Sequence, residues 1–115
     1  VSGTLNVYFN GTRTDTIANT TNITDAASTL LIGTKDGTGG TGDNFPGYFT
    51  NFRFIKGVGL YNTSTITIPT QPLSSTAQTK LLLLVSNSGS FLTDSSGLNK
   101  VATNNGATFS SLTPF

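Results

Sequence analysis

Apolar and polar positions alternate in short runs along this chain, and turn residues end each run. Leu5, Val7 and Phe9 fall on one face of an extended segment, with Asn6 and Tyr8 on the other. Asn10-Gly11 follows and suits the positive φ angles of a two-residue hairpin turn, so residues 12–17 should return antiparallel. Residues 19–27 are polar and loop-like. Residues 29–34 (Thr-Leu-Leu-Ile-Gly-Thr) predict a strand buried on both sides, and the glycine-rich 35–44 an open loop. Residues 47–55 predict the longest strand. Tyr48, Thr50, Phe52 and Phe54 alternate there with Phe49, Asn51, Arg53 and Ile55, so both faces carry large apolar groups. One face would meet an interior and the other a second layer or a neighbour.

Gly57-Val-Gly59 breaks that run. A short extended piece at 65–68 ends at Pro69 and Pro72, which cannot continue a central ladder. The Leu-Leu-Leu-Leu-Val run from Leu81 to Val85 is too short for a helix and predicts a buried strand. Asp94-Ser-Ser-Gly97 reads as a turn. Residues 100–103 and 107–109 read as a last hairpin across Asn104-Asn105-Gly106. No segment carries a 3.6-residue period. The inventory comes to about eight strands, all-β.

Composition agrees. Thr, Ser, Asn and Gly dominate, and helix formers are scarce. With 115 residues the chain makes one small domain at most. A net charge of +1, with 10% charged residues, offers no electrostatic footprint for nucleic acid or an anionic membrane. So few charges leave sheet edges poorly guarded, which suits a protein held in an assembly. His, Cys, Met and Trp are absent, so no disulfide framework speaks for a compartment. The longest apolar run is far short of the roughly 20 residues that span a bilayer.

Three pieces of wording carry a resemblance: the Tyr8-Phe-Asn-Gly11 hairpin, the Gly47-Tyr-Phe-Thr-Asn-Phe-Arg-Phe54 strand and the Lys56-Gly-Val-Gly-Leu-Tyr61 turn. Together, in this order, they resemble a laminin-G-like, concanavalin-A-like jelly-roll domain. The resemblance implies an antiparallel β-sandwich. The Leu-rich segment, with Asp94-Ser-Ser-Gly97 and the Asn-Gly-Ala-Thr-Phe109 hairpin, resembles the opening strands of such a domain. Here it follows the strand that normally comes late. Residues 1–73 would then be late strands of the sandwich, and 79–115 the Leu-rich strand and final hairpin.

Two full sheets also need more chain than this. A C-terminal portion of a longer protein is therefore favoured over a permuted domain, with the jelly roll incomplete within this chain. The segment from Thr79 to Phe115 looks like domains in structural proteins of aquatic phages and large algal viruses. By that analogy the chain would sit on a virion or extracellular surface. Its partners would be other virion or appendage proteins, a second copy, or an upstream segment completing the sheets.

Candidate chemistry is sparse. Asp36 and Asp43 flank a glycine-rich loop and could bring two carboxylates to a Ca²⁺ ion, which takes six to eight oxygens. The alternating acid spacing of an EF-hand is missing, so a plain hairpin loop is the simpler reading and no cofactor is expected. The same loop lacks Gly-Lys-Ser/Thr and a following helix, which argues against nucleotides. Tyr8, Tyr48 and Tyr61 could stack on sugars, with Asp43 and Asn44 bonding hydroxyls; the alternative is that Tyr8 and Tyr48 pack against a neighbouring layer. Loops at 16–25 and 36–44 would display such a site. Arg53 and Lys56 could dock a carboxylate, but a solvated strand face is the plainer reading.

Catalysis has little to stand on. Glycosidases on this fold place two carboxylates across a cleft, and no strand here carries a convincing one; Glu is absent. Without His or Cys there is no Ser-His or Cys-His dyad. The four N-x-S/T sequons, at Asn10, Asn19, Asn22 and Asn62, would matter only in a secreted eukaryotic protein. The expectation is a non-enzymatic virion structural or appendage module that assembles through sheet edges and apolar faces. The alternative is a carbohydrate-binding adhesin for host glycans.

Overall fold

A computed structural model describes residues 3–19, 29–34 and 44–112. Among them the protein is all-β, with four strands in two antiparallel two-stranded sheets and no helix. The strands are β1 (Gly3–Phe9), β2 (Thr12–Asn19), β3 (Phe52–Ile55) and β4 (Thr79–Leu83). β1 pairs with β2, and β3 with β4. The chain divides into two compact units, Val1–Leu30 with Gly59–Pro69, and Leu31–Val58 with Thr70–Phe115.

The first unit is built on the Asn-Gly turn. Asn10 and Gly11 take φ of 47° and 77°, the left-handed pair that matches the twist of a tight hairpin. β1 and β2 therefore pair from Phe9↔Thr12 back to Gly3↔Asn19, as the alternation predicts. One irregularity interrupts the ladder: Val7 faces Asp15 and Tyr8 faces Arg13, which leaves Thr14 as the extra residue of a bulge on β2. The predicted piece at 65–68 lies beside the turn. Thr65 bridges Thr12, Ile66 N–H donates to the Gly11 carbonyl (2.7 Å) and Arg13 N–H to the Ser64 carbonyl (2.9 Å). Gly11 is required there, because a Cβ would stand 2.8 Å from the Ile66 oxygen.

The second unit is built on the Leu run, which is a buried strand as its pattern predicts. Thr79, Leu82 and Leu83 are buried, and these two leucines are the apolar core among the described residues. β3 covers one edge of β4. On the other edge the Leu82 carbonyl accepts from Ser95 N–H (2.8 Å) and Leu83 bridges Asp94. β4 ends at Leu83, and two residues on Val85 turns the chain at φ 55°, a conformation a β-branched residue rarely takes.

Several expected strands do not form. Residues 47–51 are not strand, so 47–55 shrinks to β3 and the hairpin strands are longer. Asn51 is the reason: it sits at φ 55°, outside the β region, while its Oδ1 accepts from Leu73 N–H (3.1 Å). Residues 29–34 contribute one bridge, Thr34↔Asn44, and Leu30 is exposed rather than buried on two sides. The expected open loop at 35–44 lies outside the described residues except for Asn44. The last hairpin is a turn without a ladder. Asn104 Oδ1 accepts from Gly106 N–H (3.1 Å) and Ala107 N–H (2.8 Å), so a side chain takes the donors that cross-strand pairing would use.

Candidate functional site

The β1–β2 hairpin has two unlike faces. Alternation and register put Leu5, Val7, Phe9 and Ile17 on one of them, with Leu5 directly opposite Ile17, and with Asp15 opposite Val7 and Thr12 opposite Phe9 at its β2 side. All four are exposed, Phe9 at 70%. The other face carries Asn6, Tyr8, Arg13 and Thr16, and its polar groups are engaged with the chain itself. Tyr8 donates its hydroxyl proton to the Thr63 carbonyl (2.8 Å), and its ring meets Tyr61 edge-on at 6.1 Å between centroids. Thr16 Oγ1 donates to Asn6 Oδ1 (2.9 Å), and Arg13 Nη1 reaches the Asn62 carbonyl (3.3 Å). Segment 61–65 thus seats on the Tyr8 face and leaves the apolar one bare.

Of the five residues expected to hold a glycan, the fold brings two together, Tyr8 and Tyr61. Tyr8 has spent its hydroxyl on Thr63, and the edge-on packing occupies one flank of the rings. Tyr48 and Asn44 belong to the second unit, where Tyr48 is 73% exposed and Asn44 is held by its bridge to Thr34. Asp36 and Asp43 lie outside the described residues, as does most of the 16–25 loop. No group of three His, Cys, Asp or Glu side chains able to hold a metal occurs among the described residues. The bulge does open a concavity of about 250 Å³ lined by Arg13, Thr14, Asp15 and Thr16. It is smaller than the roughly 300–1,000 Å³ of ligand clefts, and no apolar residue lines it. No family model, curated protein or solved structure matches this chain.

Sequence reasoning underrated two carboxylates. Asp15 does lie on a strand, β2, exposed, with Oδ1 accepting from Thr16 N–H (2.7 Å). Asp94 matters more. Its Oδ1 accepts from Leu82 N–H (3.0 Å) and Ser96 N–H (2.9 Å), and its Oδ2 from Ser96 Oγ (2.8 Å) and Lys100 N–H (2.9 Å). Burial alone would raise the pKa of this carboxyl. The donated bonds from Lys100, Ser96 and Leu82 outweigh that and lower it to about 2. A carboxylate whose lone pairs are all taken by its own chain has none left for a substrate. The Asp-x-Ser pattern was the available signal, because an Asp side chain that accepts two residues on builds its own turn.

Proposed function

We propose that this chain is a non-enzymatic assembly module that works by burying the apolar face of its β1–β2 hairpin against a protein partner. One observation carries the reading: Leu5, Val7, Phe9 and Ile17 lie on one face, with Asp15 and Thr12 along its β2 side, and all four apolar residues stand open to solvent. A two-stranded ribbon is marginal by itself and gains stability when a further layer or strand completes it. A contiguous patch of this kind is a frequent mark of an interaction site. The Leu-rich segment plays no part, since Leu82 and Leu83 are spent inside the second unit. The setting that the sequence resemblance implies is a virion or its appendages, with the two sheets as part of a jelly roll completed by neighbouring protein.

Glycan binding is the second reading, favoured by the Tyr8–Tyr61 pair and the exposed Tyr48 ring. A glycan array with and without Ca²⁺, run beside binding of a dye for exposed apolar surface, separates the two. The assembly reading expects dye binding that falls in Phe9→Ser and Leu5→Ser, and an array without specific signal. Specific, chelator-sensitive glycan binding overturns it in favour of the adhesin. Immunogold label on purified particles is expected for the virion setting, and label confined to cell debris contradicts it.

A further inference from the structure

We propose that β1 is an open sheet edge that pairs with β1 of a second copy of this chain, antiparallel about a two-fold axis through Asn6. The proposal rests on the assembly reading and supplies its partner and register. Phe9 and Thr12 flank the two-residue turn and form a hydrogen-bonded pair, so the backbone groups of Phe9, Val7, Leu5 and Gly3 point toward β2. Those of Thr4, Asn6 and Tyr8 point the other way. Arg13, opposite Tyr8, shows the same alternation, since its N–H turns outward to the Ser64 carbonyl. No strand pairs with the outer side of β1 among the described residues.

The usual guards of such an edge are missing. β1 reads Gly-Thr-Leu-Asn-Val-Tyr-Phe, without a charge or a proline, and its backbone stays regular because the extra residue of the bulge is on β2. An axis through Asn6 places Asn6 against Asn6 of the second copy and Thr4 against its Tyr8. Every outward N–H and C=O then finds a partner, about six bonds in all. The same register sets Leu5 across from Val7 and Phe9 across from Gly3. Space is open where a Cβ of Gly3 would stand, and an exposed aromatic packed over a cross-strand glycine repairs the missing side chain. Leu5, Val7 and Phe9 of both copies then run together on one four-stranded sheet, and no like charges meet on the paired strands.

The test is the mass of the whole chain in solution by light scattering over a range of concentrations. A concentration-dependent dimer is expected. Asn6→Pro removes one outward N–H and no backbone bond to β2, and it costs only the exposed Thr16 Oγ1 bond to the Asn6 side chain, so it should leave the far-ultraviolet spectrum close to that of the wild type and the protein monomeric. Cysteine pairs test the register without depending on that variant. Leu5 and Val7 of the second copy form a non-hydrogen-bonded pair with Cα atoms about 4.5 Å apart, within disulfide reach. Leu5→Cys mixed with Val7→Cys should cross-link several-fold more than either variant alone, in a chain that has no cysteine of its own. A wild-type monomer at high micromolar concentration overturns the proposal, as does cross-linking of Leu5→Cys alone to the same extent. Either result leaves the dye and glycan tests of the assembly reading standing.

Discussion

The two units use their apolar residues in opposite ways. In the second, β4 buries Leu82 and Leu83 between β3 and the Asp94 loop, and one carboxylate ties strand to loop through four hydrogen bonds. In the first, an equally regular hairpin leaves Leu5, Val7, Phe9 and Ile17 in water. Both units rest on the same pleated alternation. They differ in whether the chain itself covers the apolar face, so substitution should affect folding in one and association in the other.

Asp94→Ala should have the largest effect. It leaves the buried Leu82 N–H and three further donors without their acceptor, at a cost of about 3–4 kcal/mol. Urea unfolding checks this, and a loss below about 1 kcal/mol would mean that the loop is not tied to β4. Gly11→Ala comes next, at about 2 kcal/mol, because φ is 77° and the new Cβ would sit 2.8 Å from the Ile66 oxygen. It should also detach segment 61–66, read as faster hydrogen exchange at Ile66 and Arg13.

Acid should loosen the second unit through Asp94. The folded pKa of Asp94 is depressed from 3.8 to about 2, so its contribution is complete above about pH 5 and is lost as pH falls through 4 toward 2. The loss should be about 1–2 kcal/mol after solvent screening, seen as a falling midpoint in unfolding curves. In Asp94→Asn that part of the pH dependence should disappear. The smallest effect on folding belongs to Phe9→Ser, within about 0.5 kcal/mol, while dye binding drops.

The hairpin and the Leu strand were legible because each is decided locally. Asn10-Gly11 sets a turn whatever surrounds it, and five apolar residues between polar flanks must be buried. The Asp94 turn was legible too, although its bond to Leu82 was not, since that partner lies twelve residues back across a strand. Residues 47–51 and 100–109 misled for one reason. Strand composition becomes strand only where a partner ladder exists, and Asn51 and Asn104 offered the backbone local bonds instead. As for the site, Tyr8 and Tyr61 were named without a hint that they touch, because the contact depends on segment 61–66 folding back along the turn.

The comparison is tested most directly by the urea midpoints of Leu82→Ala and Phe9→Ala, measured side by side at a concentration where the wild type is monomeric. Leu82, 1% exposed, should cost about 3 kcal/mol, and Phe9, 70% exposed, less than about 0.5. Equal losses would contradict the account, because the hairpin face would then be covered by the chain itself.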